Sequence, residues 1–461
     1  MCIRRQIPLS IFSFRGSYHQ RRGALISHRK APKNVPTSPL SRRTFIRRTA
    51  LATGAALAGS SHARVHAGGS DKLRVAMVGC GRRGTVDTVH CLKSAPGVEL
   101  WAMADLFRDQ VDASLVELRK QVPAAINVSP DRIVLGFDAC DHILAMPEVD
   151  MVLLLTPPGF RPGHVAAAVK AGKHIFMEKP GAVDPAGVRS LLQSADEADR
   201  KGLSIVVGTQ QRYAPQYVEL IQRIWDGQIG EICLLKAHWV SNVIDWHFAK
   251  RAPQWSDMEW QLRCWPYFTW LSGDHLVEQH CHNIDVCNWI VKSPPKSCTG
   301  LGGRQCRTGP EYGNIYDHFS VEYRYANGQT MLAMAAQMSG VTYNVSNSID
   351  GTKGRAYVTR GEARIEGEKP WTYAGEQSSG DLAMHGALIR SIREKKPINE
   401  CRRLAETTLT AIAGRMSTYS GKALEYDWVL KSSKLRLGPE TYALGPLPVD
   451  PVAMPGKTPL V

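Results

Sequence analysis

Absences narrow this 461-residue sequence before any motif does. Its 11 cysteines include no C-x-x-C pair and form no regular framework. Cys80, Cys91, Cys281 and Cys287 sit in apolar contexts, so they read as small buried residues rather than bridges or ligands. No apolar run reaches the length of a membrane-spanning helix, so no permanent span is expected. Residues 1–70 hold no Asp or Glu against 13 Lys/Arg. The formal charge of +15 therefore belongs to this leader: residues 71–461 carry 44 basic and 42 acidic side chains. A near-neutral body removes the electrostatic argument for a nucleic-acid partner. What remains has the composition of a globular protein, 43% hydrophobic and 21% charged, long enough for two domains.

The leader has its own pattern. Ser41-Arg42-Arg43-Thr44-Phe45-Ile46-Arg47 resembles the twin-arginine export signal. A short Ala/Gly-rich apolar stretch follows, and Ser61-His62-Ala63 or Val65-His66-Ala67 supplies an A-x-A-like cleavage site. The expectation is export through the twin-arginine translocase, to the periplasm or beyond. An organellar transit peptide or a plain basic tail has the same composition.

The body is organised around residues 73–105. Gly79, Gly81 and Gly84 follow an apolar run at G-x-G-x-x-G spacing, and Asp105 closes the next apolar run. Strand, glycine turn, helix and a following acid form a dinucleotide-binding signature. The first glycine permits the tight turn, the second lets backbone approach the pyrophosphate, and the third lets helix and strand pack. A carboxylate at 105 accepts from a ribose 2′-hydroxyl and repels a 2′-phosphate, which favours NAD. Arg108, with Arg82 and Arg83 in the turn, can offset that repulsion, so NADP stays open.

Apolar runs and helix-like segments alternate to about residue 211, the pattern of a doubly wound parallel sheet with ligands at the strands' carboxyl ends. The texture then changes. Strand-like runs follow one another, with Ala326-Asn327-Gly328 as a hairpin turn, which reads as an antiparallel α+β domain. The expected organisation is a leader at 1–70, a dinucleotide-binding domain at 71–211 and an α+β substrate and oligomerisation domain at 212–461. Trp239, Trp246, Trp255, Trp260, Trp265, Trp270 and Trp289 crowd one stretch, as sugar-site walls or as core. Residues 273–290 read as one helix, on which spacings of 4 and 3 put Glu278, His282 and Asp285 on one face. The string from His275 to His282 matches neither common zinc-protease spacing, so no metal is expected.

From about Lys72 to Trp428 the chain resembles the glucose–fructose oxidoreductase/inositol dehydrogenase/rhizopine-catabolism family (Gfo/Idh/MocA). The resemblance rests on the glycine turn, Asp105, Thr156-Pro157-Pro158 with His164, A-G-K-H-I-F-M-E-K-P at 171–180, Gly208 with Arg212, I-G-E-I at 229–232, and residues 273–289. It implies a Rossmann sheet followed by a large open, mostly antiparallel sheet, whose exposed face is buried in a homo-oligomer. It also implies a nicotinamide cofactor held by Gly79, Cys80, Gly81, Arg82, Arg83, Gly84, Asp105, Arg108, Thr156, Pro157, His164, Glu178 and Lys179. The same resemblance makes Lys179, Glu278, His282 and Asp285 catalytic, and puts a carbohydrate-like substrate near Arg212, Trp265 and Trp270. Two positions depart from the family pattern: Glu278 stands where an Asp is common, and His280 where glycine is common.

Lys179 can hold developing alkoxide charge, and His282 can take the hydroxyl proton as hydride leaves. The first functional expectation is an exported NAD(P)-dependent oxidoreductase acting on a sugar, polyol or derivative. A glycoside hydrolase or lyase that recycles tightly bound NAD is the alternative. A non-catalytic nucleotide- or sugar-binding protein is the third reading.

Overall fold

The computed structural model describes residues 72–243 and 250–461. The leader with its arginine pair, and Trp246, lie outside the described residues. Six short strands form a parallel sheet in the order Ile133–Leu135, Val98–Asp105, Leu73–Val78, Met151–Leu154, His174–Met177, Ile205–Val207. The inner strands are apolar on both sides because helices cover both faces: all of Met151–Leu154 is buried. Strand order reverses beside Leu73–Val78, which neighbours both Val98–Asp105 and Met151–Leu154. A crevice therefore opens at their carboxyl ends. The glycine turn, Asp105, Thr156 and Lys179 all leave strands on this edge.

The second sheet has nine strands: Trp371–Thr372, Ala363–Gly367, Gly354–Val358, Asn344–Gly351, Ile232–Ser241, Thr330–Gln337, His318–Arg324, Ser297–Gly303 and Leu424–Glu425. It is antiparallel except where Thr330–Gln337 runs parallel to Ile232–Ser241. The hairpin expected at Ala326-Asn327-Gly328 is present. In Ile232–Ser241 the alternation is sharp: Leu235, Ala237 and Trp239 are buried, with their neighbours on the other face. The helix Cys401–Ser420 packs against both the Pro185–Lys201 helix and the Ser297–Gly303 strand. No helix among the described residues is long and apolar enough to cross a membrane.

One expectation needs correction. Residues 273–290 form two helices, His275–Glu278 and Cys281–Val291, not one. Asp274 sits at φ 73° with its carboxylate accepting from the amides of His275 and Tyr316 and from the Tyr419 hydroxyl. Those bonds hold a conformation that side chains rarely adopt and launch the short first helix. At its end the ladder shifts, and the His280 amide donates to the His275 carbonyl. Glu278 is thereby separated from His282 and Asp285 by a helix break.

Candidate active site

Two connected features occupy the carboxyl edge of the parallel sheet. The first is a cleft of about 380 Å³ lined by Gly79, Gly81, Arg82, Arg83, Gly84, Asp105, Thr156, Pro157, His164 and Trp265, all singled out in the sequence. Gly79 has φ 101°, and its missing Cβ gives room to the Leu155–Thr156 backbone. A Cβ on Gly84 would strike the Gly79 carbonyl, so helix and turn meet only because it is glycine. Gly81 caps the helix Arg82–Lys93 without a side chain, and a Cβ there would meet nothing within 4 Å. The open helix N-terminus thus faces the cleft as an anion site.

Asp105 closes the cleft's second strand. Its carboxylate accepts from the amides of Cys80 at 2.6 Å and Phe107 at 2.9 Å. Burial pushes its pKa up, and these amide bonds oppose the shift. Each oxygen keeps acceptor capacity for a sugar hydroxyl. Cys80 itself is buried beneath the turn, so only its backbone takes part.

The second feature centres on Lys179, which lies just past the strand His174–Met177 and is joined to Pro180 by a cis peptide. Its Nζ donates to Glu278 Oε1 at 2.7 Å and to the Glu278 carbonyl at 2.6 Å. Burial works against the lysine's charge and is the largest single influence, but Glu278 together with its other anionic neighbours, Glu178 among them, raises the pKa. The ammonium is therefore fixed. His282 lies close enough to feel it. Burial, then the Lys179 charge, hold its imidazole well below the usual range, so the resting ring is neutral. The ring stacks on Trp239, with centroids 5.8 Å apart, and Nδ1 has no hydrogen-bond partner among the described residues.

A charge cluster joins the two features. Glu178 accepts from the Lys179 amide at 2.9 Å and pairs with Arg83 at 2.8 Å. Arg83 also pairs with Asp87 at 2.8 Å and Asp381 at 3.2 Å. Although Arg83 lines the cleft, its guanidinium is committed to these carboxylates rather than to the helix N-terminus. Burial and the neighbouring Glu178 push the Asp87 pKa well up, whereas Arg83, Lys179 and Arg161 overcome burial to hold that of Glu178 down. Gly208 leaves room for this carboxylate, since a Cβ there would lie 2.6 Å from it.

The sequence is informative about kinship at this point. Residues 73–206 match the model of the oxidoreductase family with an NAD-binding Rossmann fold, and residues 217–357 match the GFO/IDH/MocA C-terminal domain. The chain belongs to the Gfo/Idh/MocA oxidoreductase family. Inositol 2-dehydrogenase of Rhodococcus jostii is 25% identical over 82% of this chain and 99% of its own length. The 2,7-anhydro-N-acetylneuraminate hydratase of Escherichia coli is 26% identical over 52% of this chain, and the match spans 61% of that enzyme. The scyllo-inositol dehydrogenase structure from Lactobacillus casei, with NAD(H) and scyllo-inositol, shares the fold at TM-score 0.58 and 17% identity, covering 77% of this chain and 99% of that one. The cleft fits the family's NAD: the uncapped helix N-terminus suits the pyrophosphate and Asp105 the ribose hydroxyls.

Other Gfo/Idh/MocA expectations change place in the structure. Asp285 is not free for chemistry. It is buried and takes two bonds from Arg212, at 2.7 and 3.0 Å, with Thr407 at 2.8 Å and Arg403 at 3.4 Å. Burial raises its pKa, but Arg212 and Arg403 outweigh that and hold it below the usual range. Arg212, expected at the substrate, is spent on this pair and on the Trp289 face, 4.8 Å away. Trp270 is core, its indole N–H donating to Gln261 at 2.8 Å. Arg108 is exposed and paired with Asp112, outside the cleft lining. His164 accepts from or donates to Thr156 Oγ1 at 3.1 Å, its pKa lowered to about 4 by burial and Arg161.

Arg161 escaped the sequence reading. Fully buried, it donates to the carbonyls of Pro180 and Thr156, tying the lysine loop to the cleft loop. A cation in the first turn of a helix opposes the helix dipole, and that anomaly was the available signal.

Proposed function

We propose that the chain interconverts a secondary alcohol and a ketone on a sugar, inositol or related polyol. Bound NAD supplies the hydride acceptor or donor. Lys179 binds the reacting oxygen and stabilises its negative charge as the hydroxyl proton departs. His282, neutral at pH 7, takes that proton, and returns it in the reverse direction. Glu278 fixes the ammonium and offers its second oxygen to a neighbouring substrate hydroxyl. The observation that carries this reading is the buried Lys179 ammonium, locked on Glu278 beside the neutral His282 and linked through Glu178 to Arg83 of the cofactor cleft. The substrate class comes from the polyol and sugar chemistry in the relatives' names.

Lys179→Met is expected to lower kcat/KM about 1,000-fold on a screened panel of inositols and aldoses, with NADH binding unchanged. A variant with wild-type turnover on the panel's best substrate would refute the assignment. A reaction without net redox, in which NAD is recycled, is the second reading; kinship to a hydratase favours it. Product analysis distinguishes the two, since only the first accumulates NADH with product. We read residues 41–67 as an export signal, which mass spectrometry of the mature N-terminus would test. Exposed Leu301, Leu332 and Met334 on the large sheet support self-association, to be read by light scattering.

A further inference from the structure

The cleft's second wall comes from a distant part of the chain. Trp255, Leu262, Arg263 and Trp265 line it together with the glycine turn and Asp105–Phe107, and Arg263 packs on the Phe107 ring. In a Rossmann site the pyrophosphate sits at the glycine turn and the adenosine ribose at the end of the second strand. The residues lining the cleft beside Asp105–Phe107 therefore border the adenosine end.

Arg263 is the centre of this wall. Its guanidinium grips Asp109, two residues past Phe107, at 2.9 and 3.0 Å, and its Nε donates to Glu259 at 2.9 Å. It lies 3.9 Å from the Phe107 ring centre and 5.0 Å from that of Trp255. The helix Asp257–Arg263 is held from behind by the tail: the Met258 amide donates to the Gly445 carbonyl at 3.1 Å, and the Gln261 side chain to the Leu447 carbonyl at 2.7 Å. The Leu447 amide donates to Asp257 at 3.1 Å. Nothing in the hydride chemistry uses these contacts.

We propose that Arg263 and Trp255 form the outer wall of the adenosine subsite, and that the Arg263–Asp109 pair is a latch setting how long NAD stays bound. The guanidinium lies over both the Phe107 and Trp255 rings, and this layered edge offers a purine in the cleft an aromatic and cationic surface to pack against. Because the pair bridges the wall and the helix Arg108–Gln121, the adenosine leaves only when it opens. The latch governs residence more than capture, as contacts formed after encounter act mainly on dissociation.

The test is stopped-flow release of NADH from the purified protein, chased with excess NAD and read by NADH fluorescence. Arg263→Gln and Asp109→Asn are each expected to speed release about tenfold, and the swapped pair Arg263→Asp/Asp109→Arg to recover most of the loss. Release within twofold of wild type in both single variants would overturn the proposal. So would equal acceleration by Lys120→Gln at the far end of the same helix. Asp109 is surface-exposed, so its variant reports even where an Arg263 variant folds poorly. The readout needs no substrate, so a wrong substrate class leaves the result intact.

Discussion

Lys179–Glu278 and Arg212–Asp285 are both buried ion pairs, and the sequence placed Glu278 and Asp285 on one helix face. The structure treats them oppositely. Glu278 accepts one bond from Lys179 Nζ on a single carboxylate oxygen and a second on its backbone carbonyl. Asp285 has both oxygens committed to Arg212, with Arg403 and Thr407 adding to one of them. The first pair keeps capacity for a ligand; the second is saturated and holds helices together. A charged pair serves chemistry when its partner set is incomplete, and a motif spacing does not report that.

The difference can be broken at either end. The largest effect is expected at the saturated pair. Asp285→Ala leaves Arg212 and Arg403 facing each other without their shared anion, and should cost about 3–5 kcal/mol of stability. Denaturant unfolding would measure it, and a loss below about 1 kcal/mol would mean that the pair is not structural. At the open pair, Glu278→Gln keeps shape and removes charge. It should lower kcat about 100-fold while the melting temperature moves by only a few degrees. If instead it melts like Asp285→Ala, the contrast between the two pairs is false.

The smallest effect separates burial from pairing. His385 is fully buried beside Phe176, with neither ring nitrogen bonded among the described residues, and burial together with the His90 charge brings its pKa down to about 3. Its unfolded value is about 6.5. A depressed histidine contributes stability that is complete above the unfolded pKa and is lost as pH falls from there toward the folded pKa. Between pH 6.5 and pH 5 that loss is about 2 kcal/mol. His385→Phe should flatten melting temperature against pH across this window. An unchanged slope would show that the ring is not held neutral.

The parallel sheet, glycine turn, Asp105 and Lys179 were legible because each rests on short-range spacing at a strand end. Glu278 and His282 were legible as residues but not as geometry. The break between them comes from Asp274, whose partners Tyr316 and Tyr419 lie 42 and 145 positions away. Arg212 and Trp270 were misplaced for a related reason. A basic or aromatic residue near a motif has the same appearance in sequence whether it points at substrate or at Asp285 and Gln261. Arg83 lay in the right turn, but its carboxylate partners Glu178 and Asp381 are 95 and 298 positions away. Nothing local marked Arg263, whose Asp109 contact spans 154 residues.

That span has a kinetic meaning. Contacts of high sequence separation form late, because their loop-closure entropy must be met before they contribute. The glycine turn and its two strands close within about 30 residues, whereas the Trp255–Arg263 wall waits for the second sheet and for residues 445–447 to dock behind it. By that ordering the dinucleotide edge would form as an open shelf before the Trp255–Arg263 wall is added to it. The dinucleotide can settle on the shelf before that wall is in place, which makes NAD a candidate nucleating ligand for the last stage of folding.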